Sequence, residues 1–105
     1  MLIPKETPYR NENLRRAVAS LPCQNCGLEN STQASHSNQL RDGRGVGHKT
    51  SDAMLAALCH PCHYEIDYGK DLSREEKKEI WDAAYRKTMR ALIERELLVV
   101  NLKAL

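Results

Sequence analysis

The sequence predicts a single small α+β domain held together by a metal ion, and three observations lead there. The four cysteines of the 105-residue chain fall as two pairs, Cys23/Cys26 and Cys59/Cys62, at the two-residue gap that lets both sulfurs of a pair reach one ion. Helical apolar periodicity appears before the first pair and, at greater length, after the second. Between the pairs lies the short segment Ala34-Ser35-His36-Ser37-Asn38, which suits a strand leading into a loop.

A chain of this length builds one domain (1–105) with one modest core. Aromatic residues make up 5%, with no Phe and one Trp, so the core is mostly Leu, Ala, Val and Ile and calls for a further source of stability; metal is the candidate. A net charge of +2 and a pI near 8.4 permit nucleic acid as a partner without pointing to it, so the distribution of charge matters more than the total. No charged start precedes an apolar run, and no stretch approaches the roughly 20 apolar residues of a membrane span. With paired cysteines, that reads as a cytoplasmic, reduced protein with no membrane partner.

Met1 to Asn11 has no periodicity and reads as an extended arm or a frayed terminus. Leu14, Ala17, Val18 and Leu21 recur at helical spacing, with Asn11 or Asn13 available as cap, and Pro22 ends that helix. Cys23-Gln-Asn-Cys26-Gly27 has the form of a zinc knuckle, with Gly27 in the unusual backbone conformation. Glu29 to Gln33 reads as polar turn. Gln39 to Lys49 carries three glycines at alternate positions, and Arg41, Arg44 and Lys49 against Asp42; it is either a solvated surface loop or a cationic loop lying against phosphate, with Asn38 beside it. Ser51 or Asp52 caps a short helix through Met54, Leu55 and Leu58 that delivers the chain to Cys59. A second helix carries Cys62, His63, Glu65 and Asp67. Ser73-Arg-Glu-Glu76 is a capping box that opens the longest helix, residues 73–96, along the stripe Ile80, Trp81, Ala84, Tyr85, Met89, Leu92 and Ile93. Leu97 to Val100 continues that helix or forms a short strand, and if exposed it suggests a homodimer contact through the C-terminal helix.

Four thiolates closing on one tetrahedral ion leave no vacancy, so Cys23, Cys26, Cys59 and Cys62 predict structural Zn²⁺. His36, His63 and Asp67 form the constellation suited to chemistry. His63 and Asp67, four apart on one helix face, can bind a divalent cation or orient each other. Closing the zinc site folds the His36 strand back across that helix and sets one imidazole opposite the other. The plainer alternatives are a helix-start hydrogen bond for His63 and a turn cap for Asp67; His60 reads as structural or exposed, and His48 as surface.

Cys23-x-x-Cys26-Gly, Ser-His36 and Leu-Cys59-x-x-Cys62-His63 resemble the HNH endonuclease superfamily in its four-cysteine, zinc-binding form. His36-Ser-Asn, Asp42-Gly-x-Gly-x-Gly, Lys49, Asp52 and Leu-Cys-x-x-Cys-His-x-x-Ile-Asp resemble its small phage and prophage nuclease-like proteins, over residues 22–69. The resemblance implies a ββα-metal, treble-clef-like core that grips one catalytic divalent ion, Mg²⁺ or Mn²⁺, with His36 as general base and His63 as metal ligand. Such enzymes cut DNA, with the ion on the scissile phosphate and the leaving 3′ oxygen. Two positions depart from the pattern: Ser35 stands where an acidic or histidine ligand often precedes the base, and Met54 where an asparagine is usual. Asp52 stands close by in place of that asparagine, and Asp67 offers an oxygen ligand. The expected work is DNA endonuclease chemistry in phage or prophage recombination or DNA processing, in a bacterial host cell. The alternatives are a non-cutting zinc module that binds nucleic acid and a protein-interaction adaptor.

Overall fold

The computed structural model describes residues 9–42, 50–99 and 101–103. Its elements are helix α1 (Glu12–Ala19), strand β1 (Thr32–His36), a 3₁₀ turn (Leu40–Asp42), strand β2 (Leu55–Cys59), helix α2 (His60–Tyr68) and helix α3 (Arg74–Glu94). The two strands pair antiparallel, with Thr32 opposite Cys59, Ala34 opposite Ala57 and His36 opposite Leu55. Together they form a small α+β structure in which α1 covers one sheet face and α2 with the first half of α3 covers the other.

Asn11 is the cap of α1, its side-chain oxygen accepting the Leu14 N–H at 3.0 Å. The helix ends at Ala19, short of Leu21: Leu21 donates to the Val18 carbonyl in a tightened turn, its side chain staying buried, and Pro22 follows without a donor. Gly27 takes φ +83° inside the knuckle, as its sequence context predicts. Residues 9–11 are not a loose arm, since the Tyr9 carbonyl accepts from Asp52 N–H at 2.9 Å.

Two extended segments differ from the sequence expectation. The first strand runs from Thr32 to His36, two residues earlier than predicted, because Thr32 and Gln33 find ladder partners in Cys59 and Leu58. The segment expected to be a short helix through Met54, Leu55 and Leu58 is instead β2. All five of its residues are buried, and an apolar run buried on both faces carries no period that separates strand from helix. Ser51 closes a turn here: its hydroxyl accepts from Ala53 N–H and its carbonyl from Met54 N–H, both at 3.0 Å.

Alternation along the sheet divides the core. Ala56 and Leu58 join Ile66, Trp81 and Ala84 with Cys23 and Cys59; Leu55 and Ala57 join Val18, Leu21 and Leu92. A two-stranded sheet leaves β2 with an outer edge whose buried backbone groups need partners. Ala57 meets both there: its N–H donates to Thr88 Oγ1 at 2.9 Å, and its carbonyl accepts from Gln24 N–H at 2.9 Å. Thr88 in turn donates to the Ala84 carbonyl at 2.7 Å, so one hydroxyl ties α3 to the strand.

The α3 capping box is complete in both directions between Ser73 and Glu76. Trp81, Ala84, Thr88 and Leu92 form its buried line, while Ile93, expected in the stripe, is 47% exposed. The helix stops at Glu94, before the expected Glu96, in a Schellman closure: Glu96 has φ +57°, Glu96 N–H reaches the Ile93 carbonyl, and Leu97 N–H reaches the Leu92 carbonyl. Leu97 to Val99 therefore neither extends the helix nor forms a strand. Leu98 turns onto the α1-side core, Leu97 and Val99 stay exposed, and Val100 lies outside the described residues. No helix among them is long and apolar enough to cross a membrane.

Replacing Thr88 by Val removes the acceptor for a buried N–H at nearly constant volume. Denaturant unfolding should show a loss of about 1–3 kcal/mol, with Thr88→Ser recovering most of it. Equal stability of the Val variant and the parent would show that the strap contributes nothing.

Candidate functional site

The four cysteines converge from three elements. Cys23 and Cys26 come from the knuckle after α1, Cys59 ends β2, and Cys62 lies in the first turn of α2. All four are free thiols whose sulfurs lie within 4.8 Å of one another. Cys26 and Cys59 are 3.6 Å apart, close to the ~3.8 Å edge of a tetrahedron built on metal–sulfur bonds of about 2.3 Å. Asn25 donates its amide to Cys62 Sγ at 3.3 Å, and Cys26 N–H donates to Cys23 Sγ at 3.4 Å, the kind of outer contact that orients thiolate ligands.

The thiols are electrostatically unequal. Burial pushes Cys23 up, but backbone N–H groups of Cys26, Cys59 and Asn25 outweigh it and bring its pKa down to about 6. Burial and the neighbouring thiols push Cys62 up to about 12 and raise Cys59 as well. Four sulfurs this close cannot all ionise without a compensating cation. The cluster can hold a metal ion such as zinc, and among the described residues it is the one group of three or more potential ligands so gathered.

A second convergence centres on Asp52, whose side chain is fully buried. One carboxylate oxygen meets His36 Nε2 at 2.7 Å and accepts from Arg10 at 3.0 Å; the other accepts from Arg15 at 2.6 Å and from Asn11 N–H at 2.7 Å. Arg10 also donates to the Thr50 carbonyl at 2.8 Å. Burial alone would raise the carboxyl, yet the hydrogen bonds from Asn11, His36 and Arg10 and the Arg15 charge hold its pKa down to about 2. An ionised carboxylate only accepts, so His36 Nε2 carries the hydrogen in this contact, and Nδ1 is the ring nitrogen turned away from Asp52.

His63 and Asp67 do meet, at 2.9 Å across one turn of α2, each about 30% exposed. His63 Nδ1 faces Gln33 Oε1 at 3.0 Å, and Asp67 accepts from Asn38 at 3.1 Å. His36 is not with them. It shares a sheet face with Leu55 and Ala57, whereas Gln33, the contact of His63, lies on the other face. The expected opposition of His36 to His63 is therefore not formed, and His36 has Asp52 as its partner.

Of the residues expected to meet phosphate, Arg41 pairs with Asp82 and lies 3.6 Å from Asp42, and Asn38 is engaged with Asp67. Arg44, His48 and Lys49 fall outside the described residues. Sequence reasoning missed Arg10, Arg15 and Gln33: the arginines carry no motif, and only the fold brings them to Asp52. His60 is exposed, as expected.

No protein-family model, curated protein or solved structure matches the chain.

Removing Asp52 tests this convergence. A carboxyl lowered from 3.8 to about 2 stabilises the fold fully above pH 4, and that stability is lost as pH falls through 2. Thiolate ligands protonate at higher pH than this, so the variant is compared with the parent at pH 7. Asp52→Ala should cost about 1–3 kcal/mol by denaturant unfolding, since it takes the shared acceptor from Asn11 N–H and from Arg10 and Arg15, each about a third exposed, while Asp52→Asn should cost less. A loss below about 0.5 kcal/mol for the Ala variant would contradict the assignment.

Proposed function

We propose that the chain is a zinc-stabilised, divalent-metal-dependent DNA endonuclease of the HNH type. The observation that carries the reading is the pairing of His36 with buried, ionised Asp52 at the end of the first strand of a β1–β2–α2 succession. That succession has the element order of a ββα-metal core.

The pairing gives His36 the properties of a general base. Asp52 fixes the tautomer and stabilises the imidazolium formed when Nδ1 takes a proton from water. The ring is 36% exposed, so water reaches it. His63 and Asp67, preset one turn apart, are the residues that would hold Mg²⁺ or Mn²⁺. Such an ion supplies charge stabilisation at the phosphate and the leaving oxygen. Ser35, in the position before His36, is buried, which leaves the ligand role to α2. Two residues beyond His36, Asn38 reaches Asp67, so the chain joins the two pairs around the end of β1. The resemblance to phage and prophage nuclease-like proteins points to recombination or DNA processing.

Zinc is the ion assigned to the four cysteines. A closed four-thiolate site has no open position, so it acts as a staple, and its binding free energy becomes folding free energy. One observation favours a second reading, a zinc module that binds nucleic acid without cutting it: His36 and the His63–Asp67 pair stand over different sheet faces.

Metal analysis of protein purified without chelator should give one zinc per chain, and strong chelation should unfold it; metal-free folded protein would refute the staple. Plasmid nicking in Mg²⁺ or Mn²⁺ should fall by about 10²-fold or more in His36→Ala with zinc content unchanged. Equal nicking by both proteins would remove His36 as base. Salt-dependent DNA binding with no nicking under any divalent ion would establish the binding module instead.

A further inference from the structure

Helix α2 turns Cys62 and Ile66 inward to the core and leaves an aromatic line outside. Tyr64 and Tyr68 are 54% and 68% exposed, with ring centroids 5.3 Å apart, and the His60 ring lies 6.5 Å from Tyr64. The chain has four tyrosines, one tryptophan and no phenylalanine. Placing two of those tyrosines in water, while the core is short of aromatics, is a cost that a bound partner would offset.

Beside this face lies a cavity of about 590 Å³ where α2 ends, α3 begins and the chain leaves β1; Arg74, Lys77 and Lys78 line it with Asp67, and Arg41, paired with Asp82, closes its edge. Arg74, Lys77 and Lys78 follow the i, i+3, i+4 line that becomes the buried face at Trp81, whereas Glu75 and Glu79 lie off it. The charges on the first turns of α3 are thus sorted, with cations towards the cavity. Lys77 is fixed there by donating to the Gly69 carbonyl at 2.6 Å. Like charges at this spacing destabilise a helix, and cations in its first turns oppose the dipole; a polyanion in the cavity relieves both. Tyr64, three residues before Asp67, lies roughly 60° around the helix from it, so the aromatic line borders the cationic cavity.

We propose that this surface binds single-stranded DNA, with phosphates in the cavity and unpaired bases stacked on Tyr64 and Tyr68. A cationic groove beside stacking rings is the combination such binding requires, and rings on a convex helix face reach only bases that are not already paired. The choice of DNA rests on the nuclease reading; the surface itself does not depend on cleavage.

The test is fluorescence anisotropy of a labelled oligothymidylate of about 12 nucleotides without added divalent ion, beside an equal-length DNA duplex and oligouridylate. Single-stranded DNA should bind tightest. Tyr64→Ala/Tyr68→Ala should weaken it about tenfold or more with zinc content and circular dichroism unchanged, and Tyr64→Leu/Tyr68→Leu, which keeps apolar bulk, should weaken it similarly. Arg74→Gln/Lys78→Gln should flatten the salt dependence by about 1.4 in log–log slope, roughly 0.7 per lost contact. Tighter binding of duplex or RNA, or full affinity in either tyrosine variant, overturns the proposal. Nicking is read in parallel. A protein that binds single strands through its tyrosines but nicks nothing upholds the surface and sinks the nuclease, whereas nicking with single-strand affinity untouched by the tyrosine changes does the reverse.

Discussion

The meeting of four sulfurs at the junction of β2 and α2 is the constraint on which the rest of the architecture depends. Cys59 is the last residue of the strand and Cys62 lies in the first turn of the helix, so a point of closure sits where the chain changes from one backbone conformation to another. The knuckle brings the exit of α1 to that point, and Gln24 N–H satisfies the edge of β2 from there. A core of mostly small aliphatic residues, with Ala56 and Ala57 at the centre of the sheet, buries little area per residue. Its elements therefore rely on being held at their ends, and the thiol cluster, which could hold a metal ion, brings three of them to one point.

Asp52 performs the corresponding task at the far end of the sheet by electrostatics. It gathers the segment before α1, Arg15 within α1, the turn before β2 and the last residue of β1. Burying a charge is unfavourable unless its lone pairs are occupied, and four donors occupy them here. The consequence reaches past stability. The carboxylate that organises the fold is the one that sets the tautomer of His36, so the orientation of the ring is inherited from packing and needs no ligand to establish it.

How much of this was legible depends on the range over which each signal acts. The cysteine pairs, the Asn11 cap, the Ser73–Glu76 box and the stripe through Trp81, Ala84 and Leu92 are local patterns, and the structure places each as its spacing predicts. β2 departs from the helix its sequence suggests because Leu-Ala-Ala-Leu-Cys is apolar throughout; what makes it a strand is burial between two layers of helix, which no window of sequence contains. Asp52 looked like a helix cap for the same reason, since its true partners are remote in the chain. Ile93 fits the apolar stripe but lies within α3 one residue past buried Leu92, on the side turned to solvent, whereas Leu97 follows the left-handed residue Glu96, which turns the chain out of the helix.

The separation of His36 from His63 follows from the two-residue period of β1. Residues 33 and 35 face α2, residues 34 and 36 face α1, and no adjustment of α2 alone brings its His63–Asp67 pair to the face of His36. His36 is nevertheless the last paired residue, and Ser37 leaves the strand with its N–H on the Met54 carbonyl. Past that point the sheet no longer divides the two sides, which is why Asn38 can reach Asp67. Any ligand that engages His36 and His63–Asp67 together must therefore lie across this open end of the strand pair, bounded by Arg10 on one side and the cationic start of α3 on the other. For one phosphate to meet both His36 and an ion held by His63 and Asp67, it would have to sit at this open end, where Asn38 already joins the two sides.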